Sequence, residues 1–173
     1  MIFLAKESKS PDNDSECLME EIDFESLQQE AVEFLQANKF MILATCADHR
    51  VTARTVSIIN DGLRIYFQTD RNFLKCRQIE ENNPVALATG NIQIEGKAQI
   101  TCHPLENIFF RENYQKSHEG SFRKYSHLKD EVIIEIEPTL VTFWKYDSEQ
   151  RPFREYLMVE EKKAYREYYP PVN

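Results

Sequence analysis

Glycine is scarce in this chain, with four in 173 residues. A P-loop and a Rossmann dinucleotide fingerprint both need closely spaced glycines to bring backbone against phosphate, and neither pattern occurs. Cysteine is sparse and scattered. Cys17, Cys46, Cys76 and Cys102 form no C-x-x-C pair and no zinc spacing, so they read as free thiols of a reducing compartment. No apolar run is long enough to span a bilayer. The opening residues lack the basic front and long apolar middle of a secretory signal, so a cytoplasmic location is expected. Positive charge is the minority sign, and the formal net charge of −8 argues against nucleic acid or an anionic membrane as partner. The G-x-S-x-G elbow and the H-E-x-x-H pair are missing too. No catalytic acid or base and no metal ligand set can be named, so any chemistry is expected from a bound cofactor.

What is present is a globular composition, 42% hydrophobic, in a length that suits one domain with its own core. Residues 1–22 are polar and acidic and read as a loose arm; residues 23–173 are expected to form the domain. A helix is signalled from Asp23–Ser26, with Ser26 and Gln29 as a capping box, Leu27, Ala31, Phe34 and Leu35 as its apolar stripe, and Asn38 as its end. The run 40–46 is almost continuously apolar and predicts a strand buried on both faces. Residues 51–59 alternate, putting Arg54 on one face with Thr52, Val56 and Ile58. An arginine there needs an anionic ligand, a structural carboxylate, or a path to water.

The turn Asn60-Asp61-Gly62 leads into a second strand over 63–68. Thr69-Asp70 is expected to open a helix over 71–79, whose unpaired N–H groups and positive dipole end would suit a phosphate. Lys75 lies about one turn in and could reach the same anion, although a lone lysine is more often simply solvated. Asn82-Asn83-Pro84 stops that helix. Strands follow over 85–89 and 92–100, with Gly96 as a bulge or close-approach point. Beyond the turn at His103-Pro104, 105–114 reads as a helix and 115–129 as a polar, basic loop. Two strands, 131–137 and 140–146, are divided by Pro138. A further strand over 154–159 precedes a charged helix over 160–169.

Several short pieces agree in order and spacing with one known family. They are Arg54-Thr55-Val56, Tyr66-Phe67-Gln68-Thr69, Lys75 with Gln78-Ile79, 82–87 (NNPVAL), 94–98 (IEGKA) and Phe143-Trp144. From Lys39 to Trp144 the chain resembles the pyridoxamine 5′-phosphate oxidase-like family, the flavin-binding split barrels. The resemblance implies a mainly β single domain with flanking helices, built as a six-stranded antiparallel split barrel. It also implies a homodimer that binds FMN at the subunit interface and acts on a small molecule. Carried over by position, Arg54 and Lys75 would hold the phosphate, and 54–57, including Thr55, Val56 and Ser57, would run past the isoalloxazine. Gln68 and Thr69 would line the ribityl and phosphate side. Asn91 and Trp144 would come from the second subunit. The pattern departs from the oxidase itself at Leu74 and Ile59, where basic residues are expected, and at Glu155, where an arginine is expected beside Arg154. The substrate-gripping set has no match in 105–129. The resemblance therefore implies an FMN-dependent oxidoreductase on another small substrate. The alternative is a cofactor-binding module without turnover for flavin or haem, with His103, His118 or His127 as candidate axial ligands.

Overall fold

The computed structural model describes residues 19–169, so residues 1–18 of the expected arm lie outside the described residues. The remaining arm residues form β1 (Met19–Ile22). Helix α1 (Phe24–Ala37) buries Leu27, Ala31 and Leu35, a single stripe at four-residue spacing. Its cap differs from the expected one. Asp23 is the N-cap, accepting the Ser26 N–H at 2.8 Å, while Gln29 turns away to bond Glu33. Strands β2 (Phe40–Ala47) and β3 (Arg50–Ser57) form a hairpin through Asp48 and His49, both at positive φ. Next come β4 (Ile59–Asp61), β5 (Arg64–Asp70), α2 (Leu74–Glu81), β6 (Pro84–Thr89) and β7 (Ile92–Ile100). The chain ends with α3 (Ile108–Ser117), α4 (Glu119–Tyr125), β8 (Glu131–Tyr146), β9 (Pro152–Met158) and β10 (Lys163–Tyr168).

All pairings are antiparallel and they close a barrel: β2 with β3, β4 with β5, β5 with β8, β8 with β7, β7 with β6, and β6 with β2. The corner lies at Ile58. Ser57 is the last residue of β3 paired with β2, the Ile58 N–H bonds the Lys39 carbonyl, and Ile59 pairs with Tyr66 of β5. Counting β3 and β4 as one bent strand, the barrel has the expected six. The sheet nevertheless has ten strands, because β9, β10 and β1 extend it beyond β8. Inside lie Leu43, Ile65, Phe67, Leu87, Ile94 and Ile134; α3 and α4 cover the outer side of β5 and β8 over Tyr66, Phe110, Tyr114, Phe122 and Ile133.

Four other expectations change. β2 is not buried on both faces: Met41, Leu43 and Thr45 are buried, but Phe40 and Ile42 are 54% and 52% exposed. The basic stretch 115–129 is largely helical, since Phe122 anchors α4 in the outer cluster. Pro138 does not divide a strand. β5 pairs with β8 only as far as Ile136 and β9 only from Leu140, so neither asks Pro138 for the N–H it lacks. Opposite it, the bulge at Gly96 absorbs the mismatch. A Cβ on Gly96 would stand 2.6 Å from the Glu137 carbonyl oxygen, so the close approach read from the sequence is real. Finally, 160–169 is no helix. β10 is hydrogen-bonded on both sides, to β9 and β1, and that pairing overrides its helical propensity.

Candidate cofactor site

The face of β3 that carries Val56 and Ile58 into the core carries Arg54 and Thr52 towards one end of the barrel, beside α2. Gln78 of α2 is buried there. Its Oε1 accepts from Thr45 and Thr52, both at 2.7 Å, and its Nε2 donates to the Arg50 carbonyl at 2.9 Å. Arg54 donates through Nη1 to Thr45 Oγ1 at 2.6 Å and through Nη2 to Thr52 Oγ1. Among the described residues no carboxylate pairs with its guanidinium, and burial lowers its proton affinity.

Thr69 and Asp70 do not open a helix: they end β5, and Asp70 Oδ1 accepts the Asn72 N–H at 2.7 Å in an Asx turn. α2 starts only at Leu74, with no side-chain cap, so Lys75 lies in its first turn. Its Nζ donates to Thr69 Oγ1 at 2.7 Å and sits 4.6 Å from the Phe73 ring centroid. Burial is the main cause of the depressed proton affinity of Lys75. Arg54 pushes the same way, while Cys76, Glu131 and Asp70 oppose it. Arg54 and Lys75 are thus close enough to repel one another, in a cluster of hydroxyls, and among the described residues no carboxylate is in salt-bridge range of either. Such an arrangement fits an oxyanion, with a planar fork from Arg and a point charge from Lys.

The other predicted residues fall in different places. Thr55 faces outward, Val56 packs in the core and Ser57 is half-buried. Gln68 points to the opposite face of β5 from Thr69. Ser126 of the segment after α4 donates to its Oε1 at 2.5 Å, and its Nε2 is buried without a partner among the described residues. An orphaned donor is costly in a closed interior and is the kind of group a ligand would satisfy.

Asn91 and Trp144 come together at a separate place. Asn91 Nδ2 donates to the Trp144 carbonyl and the Trp144 N–H to the Asn91 carbonyl, both at 2.9 Å. They border a cavity of about 500 Å³ with Gln93, Thr142, Arg154 and Tyr156. The Arg154 guanidinium lies 5.2 Å from the Trp144 ring and 5.4 Å from that of Tyr169. Glu155 points the other way, buried and bonded to Arg166 and Lys145, so Arg154 is the arginine offered on this face. No hydrogen bond, ion pair or ring contact joins this group to Arg54 and Lys75 among the described residues.

Sequence reading missed Thr45 and Thr52 as the hydroxyls that accept from Arg54, Gln78 as the amide that fixes both, and Ser126 as the partner of Gln68. Only Gln78 left a trace, in the Gln78-Ile79 match; the hydroxyls come from three separate segments. His103 is engaged through both ring nitrogens, with the Leu128 carbonyl and the Leu105 N–H, and His118 Nε2 bonds the Ile58 carbonyl. No group of three His, Cys, Asp or Glu among the described residues could hold a metal, and no described helix is long and apolar enough to cross a membrane.

Known structures share this fold. A protein related to general stress protein 26, of the pyridoxinephosphate oxidase family, from Clostridium acetobutylicum superposes with a TM-score of 0.62 at 12% identity, covering 80% of this chain and 98% of that one. PhzG from Burkholderia lata 383, in complex with tetrahydrophenazine-1-carboxylic acid, gives 0.56 at 18%, covering 84% and 89%. General stress protein 26 from Bacillus anthracis str. Sterne gives 0.52 at 21%, covering 66% and 91%. At such identities the likeness is one of fold. No curated protein sequence matches. The sequence model of the family described as pyridoxamine 5′-phosphate oxidase matches residues 27–145, well over half of the chain, and with the barrel in place the chain belongs to that family.

Proposed function

We propose that this protein is an FMN-dependent oxidoreductase acting on a small molecule as a homodimer, and that it is not a pyridoxamine phosphate oxidase in the strict sense. The observation that carries the proposal is the approach of Arg54 and Lys75, two partly buried cations held by threonine hydroxyls with no carboxylate in ion-pair range among the described residues. The phosphate of FMN supplies the missing charge. The Thr69 hydroxyl, which holds Lys75, stands on the cations' face at the end of β5, where the rest of the cofactor would be met, while the Gln68 side chain lies on the other face of that strand. Bound FMN would supply hydride transfer; the chain's own residues bind it and limit its contact with water. Leu74 and Ile59, in place of basic residues, and the lack of a substrate-gripping set over 105–129 set this site apart from that of the oxidase.

The homodimer is supported by the division of the site. Asn91, Trp144 and Arg154 form a second group with no contact to the cations, as expected if a partner protomer supplies that half. Phe40, Ile42 and Val51, exposed on one hairpin beside an apolar hollow lined by Ala44, Cys46, Pro84, Val85 and Ala86, offer a surface for it. The test is direct. Protein purified from cells should show flavin absorption, and the double variant Arg54→Ala/Lys75→Ala should lose it. Protein that is colourless and ignores added FMN in titration would end the proposal.

A further inference from the structure

We propose that Gln78 is a positioning residue of the anion site: acting through Thr45 and Thr52, it fixes which edge of the Arg54 guanidinium meets the phosphate and leaves the charge of that edge unpaired. This rests on the flavin reading above. Gln78 lies on α2, Thr45 on β2 and Thr52 on β3, so three elements meet at one amide. Gln78 and Thr45 are 3% and 2% exposed, which keeps water from competing for their bonds. Thr45 and Thr52 stand directly opposite one another in the β2–β3 register.

The direction of each hydrogen bond follows from the chemistry of its ends. The Arg50 carbonyl only accepts, so the Gln78 atom 2.9 Å from it is the amide nitrogen, and Oε1 faces the threonines. A guanidinium only donates, so Thr45 Oγ1 and Thr52 Oγ1 accept from Arg54. Each hydroxyl has a single proton, and that proton goes to Gln78 Oε1, at 2.7 Å in both cases. One amide oxygen thus turns both hydroxyls the same way, with their lone pairs towards Arg54.

A guanidinium carries about five N–H donors in one plane. Nη1 donates to Thr45 Oγ1 and to the Leu43 carbonyl at 3.3 Å, and Nη2 donates to Thr52 Oγ1. The Nε–H and the other N–H of Nη2 have no acceptor among the described residues. These two lie side by side on one edge of the plane, the arrangement that grips two oxygens of a phosphate. The groups behind Arg54 are hydroxyls, an amide and main-chain carbonyls, so none of them offsets its charge. Gln78→Glu keeps the shape of the side chain but sets a carboxylate one hydroxyl away from the guanidinium, where it competes with the ligand for the same field. Thr52→Val keeps the strand and removes one of the two acceptors.

The experiment is fluorescence titration of the full-length, flavin-free protein with FMN and with riboflavin, which lacks the phosphate, each at low and at moderate salt. Gln78→Glu should bind FMN at least about tenfold more weakly than the unmodified protein, with riboflavin changed by less than about threefold. Its FMN affinity should also depend less on salt, because part of the positive field is already neutralised. Thr52→Val should weaken FMN selectively by about three- to tenfold, and it decides alone if Gln78→Glu does not fold. FMN affinity unchanged in the variants, or weakened in proportion to riboflavin with the salt dependence intact, would overturn the positioning role and leave the flavin reading standing. An unmodified protein that binds neither flavin would overturn both.

Discussion

Arg54 and Lys75 show how a charge can be stable yet unsatisfied. Each rests on hydroxyl oxygens, which accept hydrogen bonds but carry no charge, so the cluster keeps a positive field that only an anion removes. A hydrogen bond to a charged group contributes about 1.5–3 kcal/mol, so either single alanine variant should weaken FMN binding by roughly 10- to 150-fold in a fluorescence titration. Glu131 gives a second prediction at this scale, on stability. Burial holds its folded-state carboxyl at about 7, above the ordinary value of 4.5. The folded state therefore holds its proton in a window where the unfolded chain has lost it, and stability falls as pH rises through that window. Relative to Glu131→Gln, which cannot titrate, the ligand-free protein should lose on the order of 2–3 kcal/mol between about pH 4.5 and 7.5, read from denaturant unfolding. An equal pH profile in the two proteins would refute this.

At the scale of elements, the strands are shaped by a few backbone exceptions. Gly96 sits where β7 bulges against β8, and its missing side chain lets the Glu137 carbonyl approach. Gly96→Ala forces backbone against backbone and should destabilise by about 1–3 kcal/mol, seen as a lower denaturation midpoint. The β2–β3 hairpin has the opposite liability. His49 adopts φ 60 without being a glycine, next to Asp48 at φ 48. The two-residue turn between twisted strands favours Asn-Gly or Asp-Gly, so His49→Gly should stabilise by about 0.5–1 kcal/mol and raise Tm by about 1–3 °C. A drop in Tm would show that the His49 side chain stabilises the hairpin by more than its backbone strain costs. The same level explains why Pro138 is harmless: on one edge it falls between the reaches of β5 and β9, and on the other it stands opposite the bulge at Gly96.

For the whole molecule, the barrel places the cations at one end and the Asn91–Trp144–Arg154 group elsewhere, and leaves Phe40, Ile42 and Val51 of the β2–β3 hairpin exposed. If the proposed homodimer forms through this hairpin, a charge there should separate its protomers without touching the core. Ile42→Asp is expected to keep the circular dichroism of the fold, sediment as a monomer and lose FMN; a variant that stays dimeric and yellow would refute the interface. Much of this architecture was legible in the sequence. Alternation over 51–59 determined which side of the strand Arg54 shares with Val56 and Ile58, and Gly96 marked a close approach, because side-chain direction and steric demand are properties of a few consecutive residues. Only the tertiary structure decided that 160–169 is a strand, that Pro138 lies within one, that Asp23 rather than Ser26 caps α1, and that Arg154 rather than Glu155 faces Trp144. Each of these depends on which distant segment takes up a backbone hydrogen bond or covers a face. Neighbours in the chain encode periodicity, but the partner that satisfies a backbone group is known only once the barrel has closed.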